Sequence, residues 1–266
     1  MHFKKWIFTL FISIFFITLT ACTRYPNPQD PYEGFNRKVY AFNHAVDTVV
    51  FKPIAKTYVT IVPPPLQAGV SNFYDNLWQP TTIANDILQG KLGFAVADTW
   101  RLLINSTVGI LGLFDVASHI QGLPPHYEDL GLTFAYWSGN DGAKQSAFFE
   151  VPIFGPFTFR DAFTRPIDIF ALSVWPYIKP DWLSYALFGG YLVDLRAQVL
   201  PADKMIQDSF DPYIFVRDAY QQHRAAQIRD NEENYVEYMK RVREEEKEAG
   251  GKAKVVRRAR IDVGRF

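Results

Sequence analysis

The residue with the plainest chemistry is Cys22, the only cysteine in the chain. It follows Leu19-Thr20-Ala21 at the end of an apolar run from Trp6 to Leu19, and that run follows the basic pair Lys4 and Lys5. Small residues just before a cysteine, after such a run, look like a bacterial lipobox. In that chemistry the thiol takes a diacylglyceryl group, the chain is cut before it, and the new amino end is acylated. The run is about fourteen residues, short of the ~20 needed to cross a bilayer, so it reads as a secretory signal. Each buried CH₂ contributes ~0.8 kcal/mol, so several acyl chains on Cys22 anchor the protein permanently. Thr23 rather than aspartate follows, which favours the periplasmic side of the outer membrane. With Cys22 used, no thiol remains for a disulfide or a cysteine metal site.

Other chemistry is hard to find. Gly69-Val70-Ser71-Asn72-Phe73 lacks the second glycine of a nucleophile elbow. No His-Glu-x-x-His and no phosphate-binding loop occurs. His44, His119, His126 and His223 are scattered, so no catalytic residue, metal ligand or cofactor is expected. Asp98 and Arg101 stand at i, i+3 and are expected to pair, as are Arg160 and Asp161. The 28 basic and 28 acidic residues balance, and loss of Lys4 and Lys5 leaves a formal −2, which argues against nucleic acid. The aromatic share is 16%, which suits a membrane–water interface or a core equally.

The elements that must carry these residues are mostly helical. Asp30-Pro31 fits an N-cap and first helical position, with Phe35, Val39, Phe42 and Val46 on one face. Pro63-Pro64-Pro65 predicts an extended connector. Pro80 is expected to start a short helix that stops at Gly90, followed by a helix from Lys91 to about Asn105. Strand-like alternation is confined to Thr57–Val62 and Phe148–Ile153. Ile167–Trp175 is apolar around nearly the whole circumference, and Trp182–Val193 carries no charge. Twelve helical residues reach only about 18 Å, enough for one leaflet. These stretches nominate Phe170, Leu172, Trp175, Trp182, Leu187 and Phe188 as membrane-contacting. A soluble core is the competing reading of the same residues. Asp211-Pro212-Tyr213 starts a helix expected to continue into the charged stretch from Arg229 to Ala249. The basic residues Lys252, Lys254, Arg257, Arg258 and Arg260 follow.

Seven ordered stretches carry a resemblance. They are Asp30 to Arg37 with Phe42-Asn43; Gly69 to Phe73 with Asn76-Leu77; Leu88-Gln89-Gly90; Asn105 to Gly109; Phe114 to Ala117; Gly155 to Asp161; and Asp211 to Tyr220. Together they resemble the MlaA (VacJ) family of outer-membrane lipoproteins. The resemblance implies a mainly α, ring-like single domain of short amphipathic and all-round apolar helices lying in one leaflet, with few or no strands. It implies an amphipathic channel that takes mislocalised phospholipids from the outer leaflet and passes them to a periplasmic MlaC-like carrier. It also implies association with a trimeric porin, and no enzyme activity. Phe42 and Asn43 become candidates for channel lining or gating. The expected division is 1–21 signal peptide, 22–29 lipidated tether, 30–228 helical domain, and 229–266 charged helix and partly disordered basic tail. A structural lipoprotein that tethers periplasmic partners, and a lipid- or wall-acting hydrolase, remain alternatives.

Overall fold

A computed structural model describes residues 27–120, 122–139 and 146–248. The signal, Cys22, most of the 142–146 loop and the basic residues from Lys252 onward lie outside the described residues.

The chain begins with α1 (Glu33–Val46). Asp30 does not cap it. Its carboxylate is fully buried and accepts from Asn36 Nδ2 at 2.8 Å, from the Tyr213 hydroxyl and from Arg217 at 3.3 Å. The inward face of α1 is Asn36, Val39 and Asn43, while Phe42 is 50% exposed. The reason is the neighbour. The hairpin of β1 (Phe148–Val151) and β2 (Gly155–Thr158) is antiparallel and two-stranded, and the free edge of β1 needs hydrogen bonds. Asn36 accepts from Glu150 N (3.0 Å) and donates to Phe148 O (3.2 Å). One helical repeat on, Asn43 donates to Val151 O (3.0 Å) and accepts from Ile153 N (2.7 Å). Two asparagine side chains thus stand in for a third strand.

A π-turn over Asp47–Phe51 leads into α2 (Lys52–Ile61), so Thr57–Val62 is helical rather than extended. Thr57 and Thr60 satisfy their hydroxyls on the carbonyls of Pro53 and Lys56, four residues back. Arg196, bridging Asp47 and Asp203, holds the turn. Only Pro63 is an extended connector. Pro64 and Pro65 open α3 (Pro64–Leu88), where a missing N–H costs nothing. Pro80 lies inside α3 instead of starting a helix, because the turns on both sides of it are buried. Gly90 makes the expected left-handed stop.

Next come α4 (Leu92–Thr107), α5 (Leu130–Ser138) and α6 (Phe159–Ile167). Asp129 caps α5 and Thr158 caps α6, each accepting from a backbone N–H of the first turn. The apolar stretch after Ile167 is not one helix. It is a π-turn (Asp168–Leu172) and a 3₁₀ turn (Trp175–Tyr177) before α7 (Asp181–Val199). Short α8 (Asp203–Asp208) precedes α9 (Pro212–Asp230), whose Asp211 cap accepts from Tyr213 N and Ile214 N. The chain breaks at Asn231 and resumes as α10 (Tyr235–Glu248), so the charged stretch does not continue α9. Buried Asn231 donates to Leu132 O, and Tyr235 packs on Phe94. The packed body therefore extends past residue 228.

The architecture is mostly helical with one two-stranded hairpin among the described residues. No described helix is long and apolar enough to cross a membrane. One core is aromatic, formed by Tyr74, Trp78, Trp175, Tyr191 and Leu195; another joins Phe148 to Tyr213 and Tyr220.

Candidate functional site

Two helices are inverted. On α4 the buried side is Asp98, Arg101 and Asn105 together with Phe94, and the exposed stripe is Leu92, Val96, Trp100 and Leu103. On α6 and the residue after it, Asp161, Thr164 and Asp168 are buried while Phe159, Phe163 and Ile167 are exposed. The end of α3 repeats the arrangement, with Asn85, Asp86 and Gln89 inside and Ile87 and Leu88 outside. A helix in water presents its polar side outward. These present apolar side chains to the surroundings and enclose charge.

The enclosed charge is paired. Arg224 reaches Asp129 at 2.7 Å and Asp161 at 2.8 Å, and Tyr220 donates to Asp161 at 3.0 Å. Gly131 makes room for this, since a Cβ there would lie 2.1 Å from an Asp161 oxygen. Burial opposes ionisation of Asp129 and Asp161, but Arg224 outweighs it and holds both below the usual carboxylate range. Asp168 accepts from Leu130 N, and burial together with Asp129 pushes it up to about 7.

A second cluster forms where α3, α4 and the segment before α5 meet. His126 Nδ1 stands 2.9 Å from Asp98 and 3.6 Å from Asp86; its Nε2 is 3.4 Å from Glu128. Gln79 donates to Asp98, and Gln89 donates to Glu128 and to Thr133. Burial raises Asp86 to about 9. Burial opposes the charge on His126, but the bonds to Asp98 and Glu128 raise it to about 10. Asp98 and Arg101 do not pair: Arg101 turns to Asp115 at 3.1 Å and to the Leu123 carbonyl. A third site is Glu150, which burial pushes up to about 8 against the hydrogen bond from Asn43.

A shallow hollow between α2 and α7 is lined by Pro53, Ile54, Thr57, Tyr58 and Val193. Burial, then the Asp194 carboxylate, raises Tyr58 to about 12. Asp194 is held by Ser71 at 2.9 Å and Gln198 at 2.8 Å. The lining of the hollow is thus largely apolar, with Asp194 near the Tyr58 hydroxyl.

The residues nominated from sequence fall in different places. Phe170 and Trp182 are exposed, and Leu172 is half-buried. Trp175 is not membrane-contacting. It is 4% exposed and packs against Tyr74, Trp78 and Tyr191, because the chain turns at Ser173 and folds the indole inward. Leu187 and Phe188 are half-buried against the same cluster. Asn43 braces the hairpin from α1, with exposed Phe42 beside it. The outward stripes of α4 and α6 were not foreseen. Their spacing is visible, but an amphipathic pattern does not say which face meets solvent. The cluster at His126 was missed because its partners stand 28 to 40 positions earlier and two positions later.

Fold and site together define a helical protein with charge inside and apolar stripes outside. The chain belongs to the MlaA lipoprotein family, whose profile matches residues 28–227. An uncharacterised protein of Rickettsia prowazekii is 36% identical over 201 residues, 75% of this chain and 78% of that protein. The intermembrane phospholipid transport system lipoprotein MlaA of Escherichia coli K12 is 33% identical over 200 residues, 72% and 75% of the two chains. A solved chain from a study of how bacterial outer membrane lipid asymmetry is maintained superposes with a TM-score of 0.63 at 30% identity. That match covers 75% of this chain and 98% of the solved one.

Proposed function

We propose that the protein is an outer-membrane lipoprotein that removes mislocalised phospholipid from the outer leaflet and passes it to a soluble periplasmic carrier. The observation that carries this reading is the inversion of α4 and α6 in a member of the MlaA lipoprotein family. Apolar stripes opposite buried ion pairs are stable where the surroundings are acyl chains and the interior is shielded from them. The Escherichia coli relative is named for intermembrane phospholipid transport, and the superposable chain comes from work on outer-membrane lipid asymmetry, which supports the same reading.

In this reading Cys22 is acylated on the periplasmic side and residues 22–29 form the tether. The helices lie in one leaflet around an amphipathic passage. The stripes of α4 and α6, with Phe170 and Trp182, contact acyl chains. A phospholipid has a charged head and apolar tails, so its path needs one polar and one apolar wall. The hollow beside α2 and α7, lined by Pro53, Ile54, Thr57, Tyr58 and Val193, offers an apolar wall. Transfer needs no bond to be made or broken, so no catalytic group is required. A trimeric porin and an MlaC-like carrier are the proposed partners.

Mass spectrometry of protein extracted in mild detergent tests the reading. Stoichiometric phospholipid with intact ester bonds is expected. Lipid-free protein that leaves the membrane once Cys22 is replaced would point to a tether instead. Hydrolysed lipid produced by the pure protein would point to an enzyme.

A further inference from the structure

We propose that Asp86, His126 and Glu128 form a binding site for a divalent transition-metal ion that staples α3, α4 and the segment before α5 together. One ligand atom from each residue lies within 4.8 Å of the other two. Two donors ~2.1 Å from one ion at tetrahedral angles stand ~3.4 Å apart. His126 Nε2 and Glu128 Oε1 are separated by 3.4 Å, a long hydrogen bond but an ordinary ligand–ligand distance.

Asp86 supplies an independent observation. It is fully buried, and neither of its carboxylate oxygens has a hydrogen-bond partner. A buried carboxylate with both oxygens unsatisfied is costly. Gln79 serves Asp98 and Gln89 serves Glu128, which leaves Asp86 an ion-pair contact with His126 Nδ1 at 3.6 Å and no hydrogen bond. Asp86, Asp98 and Glu128 bring three carboxylates to one space, with His126 among them and Lys91 3.6 Å from Glu128. A divalent cation there displaces the imidazolium proton that faces Glu128.

The surroundings are those of a metal ligand. A carboxylate can only accept, so without an ion His126 donates from Nδ1 to Asp98 at 2.9 Å and from Nε2 toward Glu128 at 3.4 Å; a bound ion replaces the Nε2 proton while Nδ1–H keeps Asp98. Such a carboxylate behind a histidine orients the ring for a metal on its other nitrogen. The Phe94 ring stacks on the imidazole at 4.2 Å, and Tyr235 and Tyr238 close over Phe94. One imidazole nitrogen with carboxylate oxygens suits Zn²⁺ or Mn²⁺; Ca²⁺ would require six to eight oxygens.

The full-length protein in detergent is stripped with a chelator, then titrated with ZnCl₂ and, separately, MnCl₂, while the melting temperature and bound metal are followed. One equivalent per chain is expected, with a rise of roughly 5–10 °C at a hundredfold excess over Kd. Asp86→Asn and His126→Gln should each abolish that rise while circular dichroism stays helical. Wild-type protein that retains no metal and shows no rise would overturn the site. So would undiminished binding in both variants, which would place the ion on other histidines. A melting temperature raised by Asp86→Asn in stripped protein, without metal binding by wild type, would mean that a shared proton fills the cluster. The wild-type titration decides even if a variant fails to fold.

Discussion

Glu150 is the residue where position and protonation meet. It sits at the joint between α1 and the hairpin, and its second carboxylate oxygen has no partner. Burial raises its pKa from 4.5 to about 8, so the native state keeps a proton that the unfolded chain loses. Stability therefore declines as pH rises between about 4.5 and 8, and the penalty is complete above that window. Glu150→Gln keeps the acceptor for Asn43 and removes the charge. It should raise the melting temperature at pH 9, by roughly 1–4 kcal/mol of stability, and change little at pH 5; thermal unfolding at both pH values checks this. Arg224 behaves oppositely. Arg224→Met leaves Asp129 and Asp161 buried with only the longer contacts to Arg165 (3.7 Å) and Arg160 (3.6 Å) and should cost about 3–5 kcal/mol, read as a lower denaturation midpoint.

Among the elements, α4 tests the inversion directly. Trp100 is 55% exposed and stands opposite Asp98 and Arg101. If its surroundings are acyl chains, Trp100→Lys should weaken insertion by about 2.5–3.5 kcal/mol, while α4 keeps its inner contacts in detergent. Flotation with liposomes reads the difference, and undiminished flotation would argue for a soluble body. In α1, Asn36 and Asn43 hold the hairpin while Asp47, just beyond, holds Arg196. Deleting Phe42 and Asn43 rotates everything downstream by about 200°, so both attachments cannot be kept. On the proposed function, that protein should fold, let phospholipid accumulate in the outer leaflet, and act dominantly over the normal copy. Disappearance of the protein with a plain loss of function would show that the joint is structural only.

For the molecule as a whole, anchor and body should be separable. Cys22→Ala should leave uncut, unacylated precursor, visible as a mass shift. A body that starts at Thr23 should still bind liposomes through its apolar stripes. The family stretches also make sense at this scale. Asp30 to Arg37 and Asp211 to Tyr220 converge on one network around Asp30, Asn36, Tyr213 and Arg217, and Asn43 holds the same hairpin as Asn36. Gly155 to Asp161 runs from β2 through the Thr158 cap to the Arg224 pair. Asn105 and Asp115 bond to each other, and Arg101 bonds to Asp115.

The sequence alone determined whatever depends on local order. The lipobox-like Cys22, the Asp211-Pro212 cap, the left-handed Gly90 and the ordered family motifs are all short-range features, set by neighbouring covalent chemistry and backbone sterics. Pro80 and the Pro63-Pro64-Pro65 run misled because a proline marks where an N–H is missing, and packing decides whether a helix can bear that. Only the tertiary structure decided which face of α4 and α6 looks outward, that Trp175 turns in, and that Asp86, Asp98, His126 and Glu128 share one space. An amphipathic period is the same in water and in lipid. The sign of the polarity, and the meeting of charges far apart in the chain, are fixed only when the helices pack.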